Sequence, residues 1–522
     1  MKNKICLWSL ALLMVLVSAC RDESDTVYNY AFDMGLNFQE AENSYAGKFK
    51  VLWKALNQNY AIWDYERDLG LDWDAVYDEY LPKYEALDGR DDVTDAELQA
   101  LLVETVAPLH DGHFAAQMQN HQTGKFVITS PSITRKMQRP DYAVTADFAV
   151  NLNAYRNSGD IVECQEANTS PVSQLSKAYT TDGQSYRWAK AEAERLEQQS
   201  SLNELEQFQL EGLQTFVGHF DQIVQLLINS QIDVATAVQK YNQLVAVYQF
   251  LQIPGLNVIN TAFNEMGINV KYALFSNGVA YFYLSDFRLS PYLDDEYTQH
   301  YFAGADEATM ATINEVHNTW KSWFDAVQTL HAQGQLRGVI IDVRSNGGGM
   351  VNDYQYVLGS LLPSGGLEFG LSRYKRGLGR YDYSPLSPAR VKTMEEAHET
   401  ITEPVVVLCN CNSVSMSEMT SLGCKSIANG TLIGKPTHGG VCALHGEPKA
   451  YSQDYAGTIG EMNKTPVWLY IPTMVTMSKE KQFFEGVGIT PDIIVDYDPS
   501  LFSTQGRDSQ LDRAMQFLNT GN

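Results

Sequence analysis

The sequence is poor in positive charge and in long apolar runs. Lys and Arg together number 38 against 63 Asp and Glu, so the formal net charge of the 522-residue chain is −25. A surface this acidic repels phosphate backbones, which argues against a nucleic-acid partner. After the first twenty residues, no stretch approaches the roughly 18 consecutive apolar residues that a membrane-spanning helix needs.

Cysteine is also scarce, and no two cysteines have the CxxC spacing. Zinc is therefore disfavoured, and we expect neither a metal nor an organic cofactor. Two of the seven cysteines lie at the amino terminus, and the other five are Cys164, Cys409, Cys411, Cys424 and Cys442. Because this number is odd and four of them share one apolar segment, buried thiols suit them at least as well as disulfides.

The amino terminus carries a targeting pattern. A basic start precedes the apolar run 5–17, and the small residues Ser18 and Ala19 precede Cys20. This order is typical of a secretory signal peptide. The segment ending at Cys20 resembles a bacterial lipobox, which implies removal of residues 1–19 and lipidation of Cys20. The resemblance implies a cell-envelope lipoprotein of the outer membrane, on its periplasmic or surface face, attached to the membrane through that lipid.

Changes in residue pattern divide the chain into segments. Apolar residues at helical spacing, such as Leu98, Leu102 and Val106, follow a capping-box signature at Thr94. We predict a signal peptide at 1–19, a lipidated acidic tether at 20–44, a helical N-terminal subdomain at 45–117, a mostly helical insertion at 118–265, a core domain at 266–500 and a C-terminal helix or tail at 501–522.

The predicted core domain contains continuous apolar runs at 338–343, 404–408 and 467–471. Such runs are typical of strands that are covered on both faces. Helical patterns between them imply parallel crossovers. The fold class that follows is an α/β core, with a parallel or mixed sheet and helices, plus the helical N-terminal subdomain and the helical insertion.

Two turns that follow predicted strands could carry chemistry. Gly347, Gly348 and Gly349 follow the first strand, and glycines there let backbone N–H groups face an approaching oxygen. No Lys-Ser/Thr pair follows them, which disfavours nucleotide binding. Ser413, Ser415 and Ser417 lie in the turn after the second strand, where a serine suits a nucleophile but also a simple helix cap. Both turns are expected at the same edge of the sheet.

At this point a resemblance to a family becomes specific. The segments 336–348, 415–418 and 433–440 resemble the core of the C-terminal processing peptidases and the tricorn core peptidase. The segments 71–74 and 109–113 resemble the family's N-terminal helical region, and 485–492 resembles its closing strand motif. The resemblance implies a crotonase-like sheet and a serine peptidase. Residues 118–265 resemble nothing that we can name.

The resemblance also implies roles for particular residues. Ser415 would be the nucleophile, and the N–H groups of Gly348 and Met416 would form the oxyanion hole. In the tricorn branch the general base is a histidine, which corresponds to His113. A glutamate near the closing motif orients that histidine, and it corresponds to Glu485.

Two positions depart from the family pattern. Gly440 stands where the processing branch has its lysine base, so a Ser/Lys dyad is excluded unless Lys435 substitutes. Gly112 stands where the tricorn tetrad has a serine. His438, two residues before Gly440, is an alternative base.

We therefore expect a lipid-anchored extracytoplasmic serine endopeptidase, a hydrolase that forms an acyl-enzyme on a peptide or protein substrate. The alternative, motivated by Gly440 and Gly112, is a catalytically inactive peptide-binding lipoprotein of the same fold. A third interpretation, a lipoprotein that binds or cleaves glycans, depends only on the lipobox and the abundant aromatic residues.

Overall fold

A computed structural model describes residues 35–169, 186–229, 231–232, 234–251, 253–254, 256, 266–305, 307–394, 398–443 and 457–521. Cys20, the signal segment 1–19 and the predicted tether up to residue 34 lie outside the described residues. Within the described ranges, no helix combines the length and the apolar character that crossing a membrane requires.

The helices are α1 (Phe38–Glu42), α2 (Tyr45–Asn59), α3 (Trp63–Asp68), α4 (Trp73–Asp88), α5 (Asp95–Val106), α6 (Pro131–Met137), α7 (Asn153–Asn157), α8 (Tyr186–Glu197), α9 (Glu204–Ile228), α10 (Val234–Leu251), α11 (Ser290–Leu293), α12 (Asp295–Tyr301), α13 (Glu307–Ala332), α14 (Tyr354–Val357), α15 (Met416–Ser426), α16 (Pro499–Gln505) and α17 (Ser509–Thr520). The strands are β1 (Ala115–Gln119), β2 (Phe126–Thr129), β3 (Ile161–Asn168), β4 (Asn269–Phe275), β5 (Val279–Leu284), β6 (Gly338–Asp342), β7 (Leu367–Tyr374), β8 (Ser387–Val391), β9 (Val405–Cys409), β10 (Gly430–Gly434), β11 (Cys442–Ala443), β12 (Thr458–Ile459), β13 (Val467–Tyr470), β14 (Met474–Met477) and β15 (Ile493–Ile494).

The chain forms two compact units, and each is built from separated segments. The first unit takes the described residues through Ala146 together with Glu368–Arg390 and Pro436–Thr490. The second unit takes Asp147–Leu367, Val391–Lys435 and Pro491–Asn522. The predicted core range 266–500 therefore contributes to both units. An apolar run in a sequence indicates a strand, but it does not say which sheet the strand joins.

In the first unit, helices α1 to α5 share one hydrophobic core with two sheets. Helix α5 begins as the capping signature predicts, because the Thr94 hydroxyl accepts a hydrogen bond from the Glu97 N–H at 3.2 Å. Its apolar stripe is buried, with Leu98, Leu102 and Val106 each fully covered. The predicted helical character of 45–117 is thus present in this unit.

The two sheets of the first unit have strand orders β12-β13-β1-β2 and β11-β14-β7-β8. Strand β13 pairs antiparallel with β1, so the predicted strand at 467–471 does not join the sheet of the other two predicted strands. Strand β1 begins at Ala115, and this pairing holds the chain immediately after residues 110–114.

The second unit contains a seven-stranded mixed sheet in the order β15-β10-β9-β6-β5-β4-β3. The strands β15, β10, β9, β6 and β5 are parallel to one another. Strand β4 pairs antiparallel with β5 on one side and with β3 on the other. Every residue of β5, β6 and β9 is buried, which agrees with the continuous apolar runs that predicted β6 and β9. The fold of this unit is therefore mixed α/β.

The described part of the insertion contains α8, α9 and α10, which share a core of their own. Leu213, Phe216 and Phe220 of α9 are buried at the helical spacing seen in the sequence. The C-terminal segment contains α17, which packs Leu511, Ala514 and Leu518 into the hydrophobic core at the sheet. Residues 501–522 are therefore part of the second unit rather than a loose tail.

Candidate functional site

Two loops leave the carboxyl ends of β6 and β9, which are adjacent parallel strands in the second unit. The first, the glycine loop, comprises residues 345–350, and the second, the serine loop, comprises residues 412–417. The loops are bonded to each other, because the Val414 N–H donates to the Asn346 carbonyl at 3.0 Å. The sequence prediction that both turns meet at one edge of the sheet is confirmed.

Ser415 has a backbone conformation that side-chain-bearing residues rarely adopt, with φ +57° and ψ −114°. Such conformations cost on the order of 1–3 kcal/mol and persist only where the surroundings enforce them. Helix α15 starts at the next residue, and the Ser415 N–H donates to the Glu418 carboxylate at 3.2 Å. Ser415 is half-buried, so its side chain reaches the surface at a helix N-terminus.

The neighbouring serines have structural roles instead. Ser413 and Ser417 are both fully buried. The Ser413 hydroxyl donates to the Val343 carbonyl at 2.7 Å, and the Ser417 hydroxyl donates to the Asn346 carbonyl at 2.8 Å. Of the serines in the Ser-x-Ser-x-Ser run, Ser415 is therefore the one that combines exposure with backbone strain.

Gly348 packs directly against Ser415. It has φ +94°, and a Cβ built on it would lie 2.6 Å from the Ser415 Cβ, so only glycine fits. Its N–H donates to the Asn346 side-chain oxygen at 2.8 Å. This bond corrects the expectation that the Gly348 N–H is available to an oxyanion, because the asparagine side chain closes a turn on it.

The next residue, Gly349, is placed differently. It pairs with Phe287 in a parallel bridge, in which the Phe287 N–H and carbonyl bond to residues 348 and 350 at 2.8 Å and 2.7 Å. In a parallel ladder of this kind, the N–H of the middle residue points away from the paired strand. Within the described ranges, no residue accepts a hydrogen bond from the N–H of Gly349 or of Met416.

His113 belongs to the first unit, in a tight turn over residues 110–114. Every backbone N–H of this turn donates to a side-chain oxygen. The bonds are His110 to Glu66 at 2.7 Å, Asp111 to the Tyr60 hydroxyl at 3.1 Å, Gly112 to Glu485 at 2.7 Å, and His113 and Phe114 to Asp111 at 2.7 Å and 2.8 Å. Asp111 therefore caps this turn.

The His113 ring is held in its neutral form. Its Nδ1 atom is buried and has no hydrogen-bond partner among the described residues. Burial lowers the pKa of His113 to about 4. The alternative base, His438, is also buried, and burial, reinforced by the positive charge of Lys136, lowers its pKa to about 3. Both imidazoles are therefore unprotonated at neutral pH.

Glu485 does not orient the His113 ring through Nδ1, contrary to the expectation from the family. Its carboxylate is fully buried and accepts the backbone N–H groups of Gly112, Val441 and Cys442 at 2.7, 2.6 and 2.5 Å. Glu485 instead joins the backbone of the histidine turn to that of residues 441–442. The physical reason is that three backbone N–H groups converge on one desolvated carboxylate, which uses both of its oxygens for these bonds.

The two departures from the family pattern lie against each other. A Cβ on Gly112 would be 2.2 Å from the Gly440 Cα, so a serine has no room at this position. A Cβ on Gly440 would be 3.4 Å from His113 Nδ1 and 3.1 Å from His438 Cδ2. The position that holds a lysine in the processing branch is thus beside the His113 ring in this chain. Lys435 belongs to the second unit and pairs with Asp496 at 2.7 Å.

One cluster has the donor atoms for a metal. Asp111, Cys442 and Glu485 are buried and bring one ligand atom each within 4.8 Å of the others. Burial holds the pKa of the Cys442 thiol well above its usual value. The carboxylates also accept the backbone bonds described above. We treat this cluster as a hydrogen-bonded core. In the described ranges none of the five later cysteines forms a disulfide, and Cys164 is the one that is not buried.

Sequence reasoning missed Glu66, Asn346 and Asn410 as residues that shape the site. Asn410 accepts the Ser345 N–H at 2.9 Å and donates to the Ser345 hydroxyl at 3.1 Å. Its side-chain oxygen also accepts the Asn412 N–H at 3.0 Å, so it links the glycine loop to the start of the serine loop. An asparagine immediately after a buried strand is a signal for such a turn, whereas nothing near Glu66 in the sequence indicates its contact with residue 110.

Part of the chain is similar in sequence to a known peptidase family. Residues 307–495 match the model of Peptidase family S41, and these residues include both loops and Glu485 but not His113. The chain therefore carries a domain of peptidase family S41.

Among individual relatives, Tricorn protease of Thermoplasma volcanium is 29% identical over 187 residues, which are 36% of this chain and 15% of that protein. This chain thus matches only a small part of that relative's length. A crystal structure of a candidate peptidase from Parabacteroides merdae is 16% identical, covers 92% of this chain and 98% of its own, and superposes with a TM-score of 0.47. Mature CPAF complexed with lactacystin is 12% identical over 92% of this chain and 100% of its own, with a TM-score of 0.45.

Proposed function

We propose that the protein is a serine peptidase that cleaves peptide bonds of peptide or protein substrates through an acyl-enzyme on Ser415. The observation that carries this proposal is the backbone of Ser415, which is strained at φ +57° in a strand-to-helix turn with the side chain half-buried. A nucleophile held on such a turn is exposed at the sheet edge. The S41 domain supports the same chemistry.

His113 is the general base of this proposal. A neutral imidazole can take the proton of a serine hydroxyl and later return it to the leaving amine. Burial keeps His113 neutral, with a pKa of about 4, and leaves its Nδ1 without a partner among the described residues. Glu485 and Asp111 act through the backbone of the turn and are positioning residues.

In the first half of the reaction, the Ser415 oxygen bonds to the scissile carbonyl carbon while its proton passes to His113. The carbon–nitrogen bond then breaks, and the proton passes from His113 to the amine product. In the second half, His113 takes a proton from water, and the resulting hydroxide attacks the ester. The acid product leaves, and the proton returns to the Ser415 oxygen.

The oxyanion of both tetrahedral intermediates needs two preorganised N–H donors. We assign them to Met416 and Gly349, in place of Gly348. The reason is that the Gly348 N–H already donates to Asn346 at 2.8 Å, while the N–H groups of Gly349 and Met416 have no acceptor in the described part of the chain.

Two finer features belong to the same proposal. Cys20 is the lipidated first residue of a mature envelope lipoprotein, attached to the outer membrane, and the sheet of the second unit is of the crotonase-like type. The change Cys20→Ser should move the protein from the membrane fraction to the soluble fraction and abolish incorporation of a labelled fatty acid. Unchanged incorporation would overturn the anchoring proposal.

A fluorophosphonate probe tests the catalytic proposal. Wild-type protein should be labelled covalently on Ser415, and Ser415→Ala should not be labelled. His113→Ala should lose labelling and peptide hydrolysis, whereas His438→Ala should retain both, because His438 is the matched buried imidazole of the same unit. Loss with His438→Ala and retention with His113→Ala would reassign the base. A folded wild-type protein that binds peptides but is never labelled would be the inactive binding protein.

A further inference from the structure

Ser415 is strained, so something in the second unit must enforce its conformation. The residues on either side of it are held by one atom. The Asn346 carbonyl oxygen accepts the Val414 N–H at 3.0 Å and the Ser417 hydroxyl at 2.8 Å. These two bonds bracket Ser415 from the residue before it and from the first turn of α15.

The side chain of the same residue fixes where that carbonyl lies. Asn346 is fully buried. Its amide nitrogen donates to the Leu284 carbonyl at the end of β5 at 2.9 Å, and its amide oxygen accepts the Gly348 N–H at 2.8 Å. One asparagine therefore joins the rigid strand β5, the glycine loop and the serine loop.

We propose that Asn346 is a positioning residue, which transfers the rigidity of the sheet to the nucleophile and the oxyanion donors. It acts by holding the glycine loop and the serine loop in one arrangement. Both side-chain hydrogen bonds of this buried amide go to backbone groups, so it contributes order rather than contact with substrate. The catalytic part of this proposal rests on the proposed function of Ser415.

The first measurement does not depend on activity. Hydrogen exchange measured by mass spectrometry should show faster exchange in Asn346→Ala over both 345–350 and 412–418, with β5 and β9 unchanged. Asn429→Ala is the matched control, because its amide donates to the Ile401 and Glu403 carbonyls at 3.3 Å and 2.5 Å at the opposite end of β9. The control should leave both loops as in wild type. Faster exchange in only one loop, or in neither, would overturn the coupling.

The second measurement separates positioning from folding. In Asn346→Ala the rate of fluorophosphonate labelling of Ser415 and kcat should fall at least tenfold, while KM stays within about twofold, because Asn346 does not touch substrate. Asn346→Ser, whose hydroxyl can still accept the Gly348 N–H in a smaller turn, should recover part of the loss. Unchanged labelling despite loosened loops would refute the positioning role. Absence of labelling in wild type would refute the proposed function, while the exchange data would still decide whether the loops are coupled.

Discussion

The C-terminal helix α17 should be essential to the stability of the second unit, and Asp508→Ala tests this. Asp508 is almost fully buried and pairs at 2.7 Å with the guanidinium of Arg344, which is itself fully buried and also bonded to Asp342. Asp508 also caps α17 by accepting the N–H groups of Gln510 and Leu511 at 3.0 Å and 3.1 Å. The substitution thus removes one partner of a buried ion pair and a helix cap together.

Arg344 keeps Asp342 as a partner, so the substitution removes the hydrogen bonds of Asp508 to a charged group, which contribute about 1.5–3 kcal/mol, without leaving the guanidinium unpaired. Loss of an aspartate cap adds about 1 kcal/mol. We therefore expect Asp508→Ala to lower the free energy of unfolding by about 2.5–4 kcal/mol, which is a substantial fraction of the roughly 5–15 kcal/mol of a typical domain. Asp508→Asn keeps the size of the side chain and the cap acceptor, so it should lose less.

Denaturant unfolding followed by circular dichroism measures the effect as a lower midpoint with an unchanged slope. The matched control is Asp496→Ala, which removes an acid that is 86% exposed and pairs with Lys435. An exposed pair contributes about 0–1 kcal/mol, so this control should unfold almost as wild type does. If Asp508→Ala stayed within about 1 kcal/mol of the control, the buried network would not hold the helix to the sheet.

Three further expectations follow from the histidine turn of the first unit. Because burial lowers the pKa of His113 to about 4, the rate of labelling of Ser415 should stay constant as pH falls from 8 to about 5 and should fall by half near pH 4. A fall by half near pH 6.5 would contradict this effect of burial. Burial raises the pKa of Asp111 to about 7, so the native state favours the protonated form of this carboxyl. Wild type should therefore lose stability as pH rises from 5 to 8, whereas the melting temperature of Asp111→Asn should not show that loss. Parallel curves of melting temperature against pH for the two proteins would refute this expectation. Gly112→Ala should lower the free energy of unfolding by about 3 kcal/mol or more, because its Cβ would lie 2.2 Å from the Gly440 Cα. Gly218→Ala, at an exposed helical glycine with open space around it, should be neutral or stabilising. Equal melting temperatures for the two variants would contradict the close approach.

The two glycines that depart from the family pattern are explained by one contact. Gly440 stands where a lysine is expected, and a Cβ on it would lie 3.2 Å from the Gly112 Cα. Gly112 in turn cannot carry a serine, since any Cβ would meet that Cα. The His113 ring lies beside the same contact. The absence of the lysine and the absence of the serine therefore belong to the same contact between two backbone segments, which is compatible with a histidine as the base.

Local features were predictable to the extent that local chemistry determines them. The cap at Thr94, the stripe of α9 and the buried strands β6 and β9 depend on residue spacing alone, and the structure has them where the sequence places them. The serine and glycine loops could be found because adjacent parallel strands release their loops at one edge. The role of Glu485 could not be found in this way, because its acceptor bonds go to Gly112 and to residues 441–442, which are distant from it in sequence.

The amino-acid sequence by itself determined the charge, and spacing within a few residues determined the main secondary-structure elements and the two loops. The choice of Ser415 as the candidate nucleophile came from the resemblance to the peptidase family. Only the tertiary structure decided that Asn346 occupies the Gly348 N–H, that Glu485 binds backbone rather than the His113 ring through Nδ1, and that 467–470 pairs with β1. The physical reason is that a buried polar group bonds whichever partner the fold brings within about 3 Å, and that partner is set by packing across the whole unit.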